Sequence, residues 1–187
     1  MKKFAAGVFV TLVCIMGGVY AYFAGGFAPV GVASHPMPFE RKLARMAVHA
    51  KLRQEMPKAV PIEANEANYL AGAREYLVNC AVCHGVPGKE KTAIARGEFP
   101  RPPELLKGKG VTDDPPGETY WKVAYGIRLT GMPGFNQSLS ATQMWQISLM
   151  LANAKTLPSS VMAILEGQPE TAGPAPAATA DHPASKK

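Results

Sequence analysis

The residues best placed to do chemistry are Cys80-Ala-Val-Cys83-His84. Two thiols three positions apart lie about one helical turn apart, so their sulfurs can add to the two vinyl groups along one edge of a porphyrin. The residue that follows then sets an imidazole nitrogen under the iron, the spacing of a c-type haem attachment site. A thioredoxin-like redox pair would want a βαβ pattern, which the sequence lacks. A zinc site would need four ligands, and outside the motif only His35, His49 and His182 remain. The third cysteine, Cys14, lies in an apolar run with no evident partner, so no disulfide framework is expected.

An iron held by one histidine needs a sixth ligand or keeps an open site. The candidate is Met132, in Gly131-Met132-Pro133-Gly134-Phe135, where the flanking Gly and Pro define a loop able to present a thioether opposite His84. A neutral sulfur ligand favours ferrous iron and raises the reduction potential. In the competing reading Met132 packs as an ordinary core methionine and the iron is open or bound by two histidines.

Several elements must position these groups. A helix is expected to begin near Glu63 and to run through Tyr69, Leu70, Ala73, Tyr76 and Leu77 into the cysteine motif. From Gly85 to Pro116 the chain is rich in turns, with Pro87-Gly88, Pro102-Pro103 and Pro115-Pro116. Helices are expected at Glu118–Ile127 and at Ser140–Lys155, the second capped by Ser140. No strand is required. The division expected is a signal-anchor or signal peptide over 1–30, a basic and partly helical linker over 31–62, one folded domain over 63–158, and a disordered Pro/Ala-rich tail over 159–187.

The N-terminal run from Phe4 to Ala24 is apolar and long enough to span a bilayer as a helix. Retention as an anchor is preferred, because the run exceeds the ~7–15-residue core of a signal peptide; cleavage after Val19-Tyr20-Ala21 is the alternative. The formal charge of +6 divides into +2 at Lys2 and Lys3, +4 over 31–62, +1 over 63–158 and −1 in the tail. The excess thus sits on one segment beside the apolar run, which argues against nucleic acid as a partner. That segment, from Glu40 to Met56, is expected to be a mildly amphipathic helix, either a solvated spacer or a surface for anionic lipid or an acidic partner.

Residues 63–158 resemble a small bacterial His/Met cytochrome c domain. The resemblance rests on Gly72-x3-Tyr76-x3-Cys80, the CxxCH, the run Phe99-Pro100-Arg101-Pro102-Pro103-Glu104-Leu105, and Tyr125-Gly126-Ile127-Arg128-Leu129-Thr130-Gly131-Met132-Pro133. It implies an all-α fold of about three to five helices around one covalently bound haem c, with Cys80 and Cys83 as thioether residues and His84 and Met132 as axial ligands. It also implies a crossing of the first and last helices at Gly72 and Tyr76, completed by an aromatic for which Trp145 is present. A proline carbonyl, from Pro100 or Pro102, is implied as acceptor for the second imidazole N–H. Trp121 and Arg128 become candidates for the haem propionates, and Tyr125, Ile127, Leu129 and Phe135 for apolar walls. Alternatives remain for two of these: Trp121 as ordinary core and Arg128 as a surface charge.

The function so implied is a membrane-tethered electron carrier, not an enzyme, with no catalytic residue and no small-molecule substrate. It would accept electrons from a quinol-oxidising complex or dehydrogenase and pass them to an oxidase or another cytochrome. Lys2 and Lys3 are opposed by Arg41, Lys42 and Arg45 across the span, so charge alone does not orient it. Haem attachment on the outer face, as in the cytochromes it resembles, sets the domain on the periplasmic side of the cytoplasmic membrane, or free in the periplasm after cleavage near Ala21. The rivals are a permanent haem subunit of a larger respiratory or dehydrogenase complex, and a haem peroxidase or gas sensor with an open iron.

Overall fold

The structure, a computed structural model, describes residues 1–107 and 114–167. Among these there are eight α-helices and no strand. The chain divides into two compact units, Met1–Met46 and Ala47–Lys187.

The first unit is dominated by α1, Lys2–Ala24, whose 23 residues are exposed along their whole length. At 1.5 Å per residue it is about 35 Å long, enough to cross a hydrocarbon core of about 30 Å. Membrane anchors and signal sequences share this property. The helix α2, Glu40–Glu55, begins in this unit, where the Glu40 carboxylate accepts the Met37 N–H at 2.8 Å.

In the second unit, α3 (Glu66–Asn79) packs on α7 (Ala141–Ala152) and α8 (Ser159–Leu165), and α7 packs also on α6 (Pro116–Tyr125). Two short helices, α4 (Ala81–His84) and α5 (Ala93–Gly97), and a 3-10 turn at Leu105–Lys107 lie between α3 and α6. Asn65 caps α3 by accepting the Asn68 N–H at 3.0 Å, which starts the helix at Glu66 rather than near Glu63. Ser140 and Gln143 form a capping box on α7, and the Asn153 amide takes the Leu149 carbonyl to close its other end before Lys155.

The crossing of α3 and α7 is built around Gly72. A Cβ there would stand on the Gln146 carbonyl, 2.6 Å from its carbon and 3.0 Å from Ile147 N. Only a glycine lets two helix backbones approach so closely. One turn on, Tyr76 is fully buried, and its hydroxyl donates to the Gly85 carbonyl at 2.7 Å. Trp145 does not complete this crossing. It stacks on Tyr120 of α6, ring centroids 4.3 Å apart, while Ile147 and Met150 of α7 are buried in the same core cluster as Tyr76.

Two boundaries differ from those expected. Val161 and Leu165, one helical turn apart on α8, are buried in the core, so the folded chain continues past residue 158. Their apolar pair is short, and the Pro/Ala-rich composition that follows outweighs it in a reading by composition. The rest of the expected tail, residues 168–187, lies outside the described residues, as do residues 108–113 of the turn-rich stretch. At the other end, residues expected in the linker belong to the folded unit. Leu52 is 2% exposed, Glu55 accepts the Trp121 indole N–H at 3.2 Å, and the Pro57 carbonyl lies where a Cβ on Gly117 would be.

Candidate functional site

The end of α3 runs almost directly into the cysteine motif. The Cys80 N–H still bonds to the Tyr76 carbonyl at 2.8 Å, and the His84 N–H bonds to the Cys80 carbonyl at 2.9 Å. One turn of helix therefore carries both sulfurs and the imidazole. Gly85 then adopts φ +76°, which stops the helix and offers its carbonyl to Tyr76. The histidine is thus fixed at the last helical position by a bond to the core tyrosine.

Burial pushes the Cys80 thiol up to about 12, with Glu75 and Cys83 nearby adding to the rise. Cys83 is raised too, first by burial and then by Glu98, whose carboxylate accepts the Cys83 S–H at 3.2 Å. Both sulfurs are therefore held as neutral thiols. His84 Nδ1 donates to the Pro103 carbonyl at 2.8 Å. That bond leaves the lone pair on Nε2, the tautomer a metal requires. Burial lowers the His84 pKa, against the opposing pull of the Pro103 carbonyl and the Glu98 charge, and so favours the neutral ligand form.

Met132 comes from the loop after α6. Gly126, with φ +66°, ends the helix, and a Cβ there would meet Pro133 and Gly134 backbone at 2.6 Å. The loop folds back along α6 through Phe135 N–H to Val123 carbonyl at 2.9 Å and Asn136 N–H to Ala124 carbonyl at 3.2 Å. Inside it, Ile127 N–H bonds to the Met132 carbonyl at 3.2 Å, and the Thr130 hydroxyl accepts the Met132 N–H at 3.1 Å. Leu129, at the tip, is 93% exposed and has φ +61°, a left-handed conformation rarely taken by a leucine.

Between these pieces lies a cavity with about 1080 Å³ of empty space, counting its open mouth. Cys80, Cys83 and His84 line it together with Met132, Pro133 and Phe135. Two sulfurs, an oriented imidazole and a thioether thus meet around one largely apolar space, a donor set that fits an iron porphyrin bound at its edge and on both faces.

Pro100 and Pro102 line the cavity as well, but the carbonyl facing His84 belongs to Pro103. Trp121, Tyr125 and Arg128 do not line it. The Trp121 indole N–H is engaged by Glu55, its ring lies 5.4 Å from that of Tyr125, and Tyr125 and Arg128 are exposed. The α6 residues on the cavity wall are Thr119, Lys122 and Val123. These are spaced i, i+3, i+4, whereas Trp121 and Tyr125 share a different face, so helical periodicity could have separated the two groups. Lys122 is ion-paired with Glu118 at 2.7 Å and Asp114 at 3.6 Å, and Arg101 also lines the wall, a guanidinium suited to a carboxylate of a porphyrin. Glu98, on the wall beside Cys83, was also not expected there.

Residues 67–149 match the family model described as "Cytochrome C oxidase, cbb3-type, subunit III". Among solved structures, a chain of the Kuenenia stuttgartiensis reducing HAO-like protein complex is similar at 23% identity and a TM-score of 0.45, over 56% of this chain and 53% of that one. The present chain therefore spans about half of that chain's length. No curated protein matches.

Proposed function

We propose that residues 67–149, which match the cytochrome family model, form a cytochrome c domain, and that the chain is a membrane-tethered monohaem c-type cytochrome that moves single electrons between respiratory or dehydrogenase partners on the periplasmic side. The observation that carries the reading is the convergence of His84, tied through Nδ1 to Pro103, with Met132, Cys80 and Cys83 on one cavity.

Haem c supplies the one-electron Fe(III)/Fe(II) couple. Cys80 and Cys83 would hold it covalently as thioethers, each S–H adding across a vinyl group with no net oxidation. His84 would bind iron through Nε2, its ring plane held by the Pro103 carbonyl. Met132 would supply the second iron ligand, which would leave peroxide or gas no ready position. Val123, Ile147, Leu151 and Phe135 would keep water from the wall, and Arg101 would be placed to receive a propionate, with Lys122 beside it. The α1 helix tethers the domain to the cytoplasmic membrane; in the alternative it is cleaved near Ala21 and the cytochrome is soluble in the periplasm.

The oxidised absorption spectrum of the holoprotein tests the axial pair. A sulfur-to-iron charge-transfer band is expected, and rapid carbon monoxide binding by the reduced protein at neutral pH would refute it. Intact mass greater than that of the polypeptide by one haem, with Cys80 and Cys83 both resistant to alkylation, is expected for the covalent attachment.

A permanent place in a larger respiratory complex is the second reading, favoured by the oxidase-subunit description of the matching family. Stoichiometric partners that co-migrate with the detergent-solubilised protein in gel filtration would establish it and defeat the free carrier.

A further inference from the structure

Among the described residues, Glu98 is the one acidic side chain lining the cavity. It sits just past α5, where the backbone turns extended at φ −84° and ψ 147°. Its carboxylate is held from two sides. Oε1 accepts the Cys83 S–H at 3.2 Å, and the carboxyl group lies against Gly131, where an added Cβ would meet Cδ at 2.7 Å and both oxygens within 2.9 Å. One carboxylate thus touches the segment that carries His84 and the residue just before Met132.

On the reading that haem occupies this cavity, we infer that Glu98 is a potential-setting residue, a fixed negative charge that stabilises the ferric protein and offsets the preference of Met132 sulfur for ferrous iron. Oxidation adds one positive charge at the metal, so an anion nearby favours the oxidised form. Thioether formation consumes the Cys83 S–H, so the carboxylate loses that donor and keeps more of its charge unmatched at the attached edge. Gly131 makes the placement possible, since any side chain there would displace the carboxylate.

Potentiometric titration of the full-length, detergent-solubilised holoprotein tests the inference in E98Q and E98D, each checked for the charge-transfer band and for one haem by mass. A unit charge on the order of 10 Å away, at an effective dielectric of about 20, changes such an equilibrium by roughly tenfold. E98Q should therefore favour reduction about tenfold, equivalent to ~59 mV more positive. E98D, which keeps the charge, should move by less than half of that. A change of less than twofold in E98Q with the band intact overturns the inference, as does an equal rise in E98D. Loss of the band in E98Q also overturns it, because the carboxylate would then be holding the Met132 loop rather than setting the potential. A wild-type protein without the band refutes instead the His84/Met132 reading on which the inference rests.

Discussion

Replacing Gly72 with alanine puts a methyl group into the tightest approach between α3 and α7. The new carbon would lie 2.6 Å from the Gln146 carbonyl carbon, and ordinary carbon–carbon contact is about 3.5–4.0 Å. The obstacle is backbone on both sides, with no flexible side chain to swing away, so the helices must part by about 1 Å. Such overpacking costs about 1–3 kcal/mol, and the helix propensity gained from Gly to Ala returns up to about 1 kcal/mol. A net loss of up to about 2 kcal/mol is expected. Gly97, the last residue of α5, is the internal control: nothing lies within 4 Å of its Cβ position and its φ is not positive, so G97A should be neutral or more stable by about 0.4–1 kcal/mol. Urea unfolding of both holoproteins, followed by far-UV circular dichroism, measures the contrast. If G72A is as stable as G97A, the close crossing is not the constraint described, and the reasoning from backbone proximity fails.

Met132→Ala should abolish the charge-transfer band, lower the potential and open the reduced iron to carbon monoxide; an unchanged spectrum would remove Met132 from the iron. Leu165→Ala should destabilise the holoprotein by about 2–5 kcal/mol in the same unfolding assay, because α8 is part of the core; a change below about 0.5 kcal/mol would return it to the tail. Trp121→Phe should cost no more than about 1 kcal/mol and leave the potential unchanged, whereas a displaced potential would restore Trp121 to the haem pocket. The carboxyl group of Glu55 is held below its usual range by hydrogen bonds from Lys51 and Trp121. Its contribution is therefore present above the ordinary carboxylate pKa and lost as the pH falls through the lowered one, and the Trp121 indole N–H resonance should shift over that acidic range and not near neutrality.

The cysteine motif, His84 and the Met132 loop were legible in the sequence because each depends on local spacing: two thiols and an imidazole on one turn, and a thioether between Gly and Pro. Gly72 was legible only through the resemblance, which implies a helix crossing there; its spacing alone does not call for one. What was not legible depends on contacts between distant segments. Whether Pro100, Pro102 or Pro103 presents its carbonyl to His84 is decided by the path of a turn-rich stretch with no periodicity. Trp121 drew attention by type, yet its partner, Glu55, is 66 positions away and comes from what reads as linker. Glu98 is one more charge among many until the fold sets it beside Cys83. Val161 and Leu165 are a single apolar pair, too short a signal to outweigh the composition around it.

The bond from Tyr76 to Gly85 has a consequence for how this stretch can evolve. Gly72 at the crossing, Tyr76 in the core and Cys80 at the motif follow one another by single helical turns, and the tyrosine reaches past the motif to fasten the residue after His84. The count between crossing and ligand is thereby locked. One inserted residue in α3 would turn everything after it by about 100° around the helix axis and aim the imidazole away from the cavity. Substitutions on the outer face of this stretch are tolerable in kind, but insertions and deletions are not. Length variation among descendants of this chain should accumulate beyond Gly85 and before Asn65, and stop abruptly between them.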